Sequence, residues 1–233
     1  MRSTCGRRFL GRLFRFWIIC NLFVGAFLCI STAFAVDSKG PLSATVIAVE
    51  GQVRFTTDGQ NWELLEKGEK LRPGALIQTG LTNAMIDLQL GEPRSLDGTA
   101  ESSSRLRLFN NSILGMKKLR VDAAPEGRRK EIELDLRSGV MHGLVEPGSV
   151  DCEVEFPNGV VGIRASTNST QRTSFILHAS GALTVLSGQV VISLAEASPI
   201  ARVVTADQQF DPASKEIRKV VAEAPERGLP LLR

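Results

Sequence analysis

The stretch CEVEFPNGVVGIRASTNSTQRTSFILHASGALTVLSGQVVISL, residues 152–194, decides the fold class. Asn158-Gly159 lies between two apolar runs, which is the strongest short-range signal for a β-hairpin. Further glycine turns at Ser180-Gly181 and Ser187-Gly188 separate short runs rich in Val, Ile, Leu and Phe. No window in this stretch has an apolar 3.6-residue period long enough for a helix. The pattern predicts a meander of antiparallel strands.

The remainder of the chain repeats this pattern of short apolar runs broken by glycine. We therefore expect an all-β protein, an antiparallel β-sandwich or jelly-roll-like meander of about 12–16 short strands. Residues 214–224 have Ile217, Val220 and Val221 at helical spacing, so this segment predicts either a short C-terminal helix or an edge strand. The expected organisation is a leader over residues 1–35, a β domain over 36–212 and a C-terminal tail over 213–233.

Two segments have the composition of exposed loops. Residues 91–104 contain four serines and hardly any apolar residue, and we expect them to be the segment most open to proteolysis. Residues 123–129 read as a second loop. The basic cluster Arg128-Arg129-Lys130 at its end is interpreted as a solvated turn.

The first 35 residues are typical of an export signal. Five arginines precede an apolar run, and Ala33-Phe34-Ala35 supplies the small residues of a cleavage site between Ala35 and Val36. An uncleaved membrane anchor over Phe16 to Val36 is the alternative. Either reading predicts export to the periplasm, or a periplasm-facing anchor in the inner membrane, with the arginines on the cytoplasmic side.

The net charge of +3 comes from this leader, since removing it leaves 23 basic and 25 acidic residues. The basic charge of the whole chain is therefore no argument for nucleic-acid binding. The body also retains a single cysteine, Cys152, so an internal disulfide is excluded in the cleaved chain. Its neighbours Asp151 and Glu153 are expected to raise the thiol pKa, the wrong direction for a nucleophile.

Residues capable of catalysis form no recognisable motif. The two histidines, His142 and His178, would have to converge with carboxylates to bind a metal, and no ligand spacing supports this. The alternating acids Glu131, Glu133 and Asp135 are interpreted as the solvated face of one strand. Arg164, in an otherwise apolar strand, predicts either a buried polar network or a contact with a partner.

A short pattern recurs three times, around Gly51, Gly139 and Gly188. Each glycine ends one apolar run, and a valine follows it by one or two residues. Uneven spacing favours recurring turn chemistry over a true structural repeat.

The order of these features from residue 44 to 194 resembles the FecR-type domains of exported bacterial proteins. The resemblance implies a β-rich periplasmic module, which in its namesake relays the state of an outer-membrane transporter to a sigma factor. After Ile163-Arg164 this chain has Ala-Ser-Thr where the family usually has Gly-Thr, and the sigma-binding and transporter-docking ends of the regulator are not recognised. The positions that match the family motif are Gly51, Trp62, Gly68, Gly74, Thr79, Gly80, Gly139, Gly162, Arg164 and Gly188.

These observations predict an exported, non-catalytic FecR-like interaction or sensor module of the cell envelope, which binds a protein or an envelope polymer. No cofactor, metal or nucleic acid is expected, and contact with the membrane is expected only through an uncleaved N-terminal segment. One alternative is a glycan- or ligand-binding β-sandwich, although Trp62 is the only tryptophan of the body and the chain has no tyrosine. Another is a membrane-anchored component of transmembrane signalling.

Overall fold

A computed structural model of the chain describes residues 42–91, 104–124, 127–147, 150–164, 171–195 and 200–220. All of them lie in one compact unit, residues 39–233. Regular structure within these ranges is entirely β, which confirms the predicted fold class. None of these ranges contains a helix long and apolar enough to cross a bilayer.

The described residues form eighteen strands in two sheets of nine, more strands than the sequence suggests. Sheet 1 has the order β18-β17-β14-β13-β10-β7-β6-β1-β4. Its strands are β1 (Ala44–Glu50), β4 (Lys70–Leu71), β6 (Met85–Leu90), β7 (Ser104–Leu108), β10 (Val140–Val145), β13 (Thr173–His178), β14 (Leu183–Ser187), β17 (Gln208–Asp211) and β18 (Glu216–Lys219).

Sheet 2 has the order β16-β15-β12-β11-β9-β8-β5-β2-β3. Its strands are β2 (Val53–Thr56), β3 (Glu63–Leu64), β5 (Leu76–Thr79), β8 (Ile113–Ala124), β9 (Gly127–Ser138), β11 (Val150–Phe156), β12 (Gly159–Arg164), β15 (Gln189–Leu194) and β16 (Ile200–Thr205).

Both sheets bury one face in a shared core, as expected of a β-sandwich. Along β9, Ile132, Leu134 and Leu136 are buried while the residues between them reach solvent. The facing strands of sheet 1 contribute side chains such as Phe175 and Leu177. The period-two alternation of the sequence therefore sets which side of each strand faces the core.

Neighbouring strands are antiparallel with one exception, the parallel pair β9 and β11. After β9 the chain crosses to sheet 1 for β10 and then returns to sheet 2 for β11, so β11 runs in the direction of β9. Asp151 lies opposite Glu131, and Glu153 lies opposite Glu133. The expected antiparallel sandwich holds apart from this pair.

The chain repeatedly passes from one sheet to the other through a residue with positive φ. Eight crossings lie wholly within the described ranges, and each contains one such residue. Because an L side chain is strained at positive φ, glycine, asparagine and aspartate are the residues suited to these corners. The eight residues are Gly51, Gly68, Gly74, Asn83, Asn111, Gly139, Gly188 and Asp207.

The predicted hairpin of residues 156–164 forms, but its turn is displaced by one residue from Asn158-Gly159. Phe156 pairs with Gly159, so the two loop residues are Pro157 and Asn158. A type I′ turn needs positive φ at both central residues, which the ring of Pro157 forbids. A side chain at Gly159 would place its Cβ 2.3 Å from the carbonyl oxygen of Ser193, so this glycine permits the close approach of β15.

One further expectation differs from the structure, and one alternative that the sequence left open is decided. Residues 123–124 and 127–129 lie in strands and not in the expected loop, because β8 continues to Ala124 and β9 starts at Gly127. The basic cluster Arg128-Arg129-Lys130 is therefore part of β9 and not of a turn. Near the C-terminus, β18 is an edge strand paired with β17, which excludes the helical alternative for residues 216–219. Sheet 1 therefore extends beyond the domain boundary expected at residue 212. The expected loop 91–104 lies outside the described residues, except for its two ends.

Candidate functional site

A groove of about 520 Å³ lies at the β3 end of sheet 2, and we call it the β3 groove. It is formed by the hairpin β2–β3 together with the end of β5 and the residues that follow. Its lining residues are Gln52, Val53, Arg54, Trp62, Glu63, Leu64, Gln78, Thr79, Gly80 and Leu81.

Asp58 shapes the loop that brings Trp62 into this groove. One carboxylate oxygen accepts hydrogen bonds from the backbone N–H groups of Gln60 and Asn61, each at 2.8 Å. The hydroxyl of Thr56 donates to the same oxygen at 2.8 Å. These bonds, those from Asn61 and Gln60 first, hold the pKa of Asp58 well below its usual range. The loop is thereby ordered by local polar contacts rather than by core packing.

A row of side chains crosses the outer face of sheet 2 beside this loop. Leu64 pairs with Arg54, and Arg54 pairs with Gln78, so all three point to the same side. The Arg54 Nε donates to the Gln78 Oε1 at 3.0 Å, and the guanidinium carbon lies 5.0 Å from the centre of the Trp62 ring. In the described part of the chain no carboxylate forms an ion pair with Arg54.

The groove exposes two large apolar side chains. Leu64 is 71% exposed and Leu81 is 75% exposed, the highest values among the large apolar residues described. The side-chain amide of Asn110 donates to the carbonyl oxygen of Leu81 at 3.0 Å, which fixes this part of the backbone. Exposed apolar side chains grouped in one groove are typical of interaction sites.

Among the described strands β3 is the last of sheet 2, so the outer backbone edge beside these side chains has no described strand next to it. The N–H of Leu65 donates to the carbonyl oxygen of Val53 at 3.0 Å. In an antiparallel ladder the residues that bond to the partner strand alternate, so the N–H and C=O of Leu64 point away from β2. Such groups can pair with an added strand.

Three of the family-motif residues, Trp62, Thr79 and Gly80, line the β3 groove. Thr79 is buried, and its hydroxyl donates to the Phe109 carbonyl at 2.7 Å while accepting from the Ser112 N–H at 2.9 Å. It therefore supports the groove from beneath.

The other motif positions are distributed over the fold. Five of them lie at the sheet crossings described above: Gly51, Gly68, Gly74, Gly139 and Gly188. Gly162 lies within β12, and Arg164 ends that strand, where its backbone pairs with Asp151. The expected cleavage site, Ala35 and Val36, lies outside the described residues.

His142 lies in a buried polar row on the outer face of sheet 1. Its Nε2 is 2.8 Å from the Ser174 Oγ, and its Nδ1 has no hydrogen-bond partner. Burial, together with the nearby charge of Arg107, lowers the pKa of His142. Asp87 does not orient this ring, since the His142 Nδ1 has no partner; the two oxygens of Asp87 accept from Arg107 instead, at 2.6 and 2.7 Å. The Ser–His pair thus lacks the third group of a catalytic triad.

His178 lies near His142 without forming a metal site with it. The two residues occupy adjacent strands, with His142 opposite Ile176 and His178 opposite Val140. Across the described ranges, no group of three or more His, Cys, Asp or Glu side chains is placed to hold an ion.

Cys152 is buried in β11, and burial followed by the charge of Glu153 raises the pKa of its thiol to about 12. The expected upward shift is therefore found, but desolvation contributes more to it than the neighbouring acid does. A thiol with this pKa is a poor nucleophile at neutral pH.

The acids of β9 lie on the solvated face of sheet 2, as expected, where they form ion pairs. The Lys118 Nζ lies 2.6 Å from Glu131 and 3.0 Å from Glu133, and the Arg137 Nε lies 2.9 Å from Asp135. Lys117 pairs with Glu155 on the next strand. This arrangement is a cross-strand charge ladder.

Sequence reasoning identified Trp62 but missed Arg54, Leu64 and Leu81. These three residues line the groove because β3 ends sheet 2. No periodicity in the sequence specifies which strand ends a sheet. The two-residue length of β3 gave no strand signal of its own.

No protein-family model, no curated protein and no solved structure matches the chain. The FecR-type resemblance therefore stays a prediction from its motif residues.

Proposed function

We propose that this chain is a non-catalytic interaction module, exported to the bacterial cell envelope, which binds a protein or an envelope polymer through the β3 groove. The observation that carries the proposal is the exposure of Leu64, on the edge strand β3, and of Leu81, which lines the same groove. Exposed apolar side chains that are grouped in one groove, unlike those scattered singly over a surface, mark interaction sites.

Export is tested by cell fractionation with N-terminal sequencing of the recovered protein. The proposal expects the protein in the periplasmic or inner-membrane fraction. A mature N-terminus at Val36 indicates cleavage, and an intact N-terminus indicates a retained anchor. Recovery of the protein only in the cytoplasm would contradict it.

Binding is tested by affinity capture from envelope extract with the wild-type chain and two variants. Leu64→Asp places a charge in the groove, whereas Val203→Asp changes an exposed residue, 47% accessible, at the opposite edge of sheet 2. A partner retained by wild type and Val203→Asp but lost with Leu64→Asp supports the proposal. Repeated capture of nothing specific contradicts an interaction function.

The glycan-binding alternative would use the same groove through Trp62. Sugar rings stack on an open aromatic face, but the Arg54 guanidinium lies over the Trp62 ring at 5.0 Å. A glycan array decides between the two. Sharp binding that Trp62→Ala abolishes and Leu64→Asp preserves would favour the glycan reading.

A further inference from the structure

We propose that the β3 groove binds an extended peptide segment of another protein, which adds to sheet 2 as a strand beside β3 and carries an acidic residue next to apolar ones. This inference rests on the proposed interaction function and specifies the partner class. Three features of the groove carry it: outward-facing backbone groups, exposed apolar side chains and an arginine with no acidic partner among the described residues.

The first feature is a pair of backbone groups that face away from the sheet. The N–H and C=O of Leu64 point away from β2, since Leu65 bonds to Val53 in the ladder. Glu63 and Leu64 are both exposed, so no described part of the chain covers this edge. A peptide in an extended conformation satisfies both groups of Leu64, as in other cases of strand addition.

The side chains supply the second requirement. Leu64 lies on the outer face of sheet 2, and alternation along the strand places Trp62 on the same side. Leu81 lines the same groove. Every second side chain of an added strand would face this surface, so apolar residues are expected at alternate peptide positions.

The third requirement is charge complementarity. Arg54 is exposed, its Nε is held by Gln78, and no described carboxylate pairs with it. Glu63 lines the groove, but its side chain projects from the other face of β3, since neighbouring residues alternate. A carboxylate on the peptide would meet the guanidinium at the margin of the apolar surface.

A second copy of this chain fits the groove less well. The groove has ten lining residues and β3 has only two, whereas stable interfaces between folded proteins use about 20–30 residues on each side. A peptide needs only a short edge with adjacent pockets. Self-association through the groove is therefore an outcome that the test must detect.

The test selects a random twelve-residue peptide library, displayed on phage, against the purified full chain. Enriched peptides are expected to place Asp or Glu two residues from an apolar side chain. Their affinity should fall about tenfold or more with Leu64→Asp and with Arg54→Gln, and should not change with Val203→Asp. Amide hydrogen exchange at Leu64 should slow when the peptide is bound. Circular dichroism of each variant shows that it is folded, as expected for substitutions at exposed positions.

Failure to enrich any peptide overturns the inference, as does binding that ignores Leu64→Asp or leaves exchange at Leu64 unchanged. Equal binding to Arg54→Gln overturns the acidic preference. Sedimentation showing a wild-type dimer that Leu64→Asp dissociates assigns the groove to a second copy instead. If an envelope partner is captured by wild type and Leu64→Asp alike, the inference fails while the interaction function stands.

Discussion

Thr79 joins three of the sheet crossings to one another. It ends β5, and through its hydroxyl it is bonded to Phe109 and Ser112, which lie on either side of the corner between β7 and β8. The Ser112 hydroxyl in turn accepts from the Val140 N–H, at 3.0 Å, where β10 begins. Buried groups linked in this way are costly to leave without partners.

Replacing Thr79 by Val should therefore destabilise the fold by about 1–3 kcal/mol, because the Ser112 N–H loses its acceptor while the volume is kept. Urea denaturation of the purified protein measures this. Thr205→Val, at an exposed position of β16, is the matched control and should change stability by less than about 0.5 kcal/mol. Equal effects of the two substitutions would show that the Thr79 bonds contribute nothing.

Gly139 shows how tightly the crossings are built. Its φ is +84°, and an added Cβ would lie 2.5 Å from the Cα of Ser112 and 2.6 Å from the carbonyl oxygen of Asn111. Alanine here should therefore cost more than about 3 kcal/mol, since both strain and overlap with backbone act against it.

Alanine substitutions at two other glycines distinguish backbone strain from atomic overlap in the same denaturation experiment. Gly59 has φ of +76° with open space around it, so Gly59→Ala should cost only the backbone strain of about 1–2 kcal/mol. Gly162 has no positive φ and only a distant contact, so Gly162→Ala should cost nothing measurable. A Gly139→Ala variant as stable as Gly59→Ala would show that the corner relaxes.

At the scale of elements, strands β6, β7 and β10 share a buried polar row. Asp87 lies opposite Arg107, and Arg107 lies opposite His142. The ion pair Asp87–Arg107 is nearly removed from solvent, with side chains 9% and 10% exposed. Removing one member leaves a buried charge, whereas removing both does not.

The variant Arg107→Met should accordingly lose about 3–5 kcal/mol of stability. The double variant Asp87→Leu, Arg107→Met should recover most of that loss. A double-mutant cycle in urea measures the coupling. Additive effects of the two substitutions would contradict a coupled buried pair.

His142 makes the same row sensitive to acid. Its folded pKa is lowered, so the unfolded chain takes up the proton first as the pH falls below about 6.5. The free energy of unfolding is therefore highest above that pH. Below it, this free energy falls by no more than about 1.4 kcal/mol per pH unit. Unfolding curves between about pH 7.5 and 5.5 should show this decline, in a window where acidic side chains stay ionised.

The variant His142→Gln should flatten that decline, because the amide does not titrate in this window. His178→Gln, on the adjacent strand, should remove a further part of it, because burial lowers the pKa of His178 as well. An unchanged slope in His142→Gln would assign the acid sensitivity to another group.

Elements were predictable where local chemistry decides them. Alternation along residues 132–136 indicated which side chains are buried, and the recurring glycines indicated strand ends at Gly51, Gly139 and Gly188, but not that the chain changes sheet there. The tip of the β8–β9 hairpin was missed because charged residues on a solvated strand resemble a loop. The spacing of Ile217 and Val220 suits a helix and a strand alike, and pairing with β17 decides between them.

At the scale of the whole molecule, the parallel pair β9–β11 and the β3 groove depend on the route of the chain between sheets. No local pattern encodes which strand ends a sheet. The β-sandwich fold can therefore be predicted from the sequence, whereas the exposed surface that we propose as the binding site cannot.

Site-specific photo-crosslinking in living cells tests the proposed binding site most directly. A photoreactive phenylalanine analogue is placed at Leu64 in one variant and at Val203, at the opposite edge of sheet 2, in the other. We expect a discrete adduct with an envelope component from position 64 and none from position 203. No adduct from position 64, or identical adducts from both positions, would contradict the account.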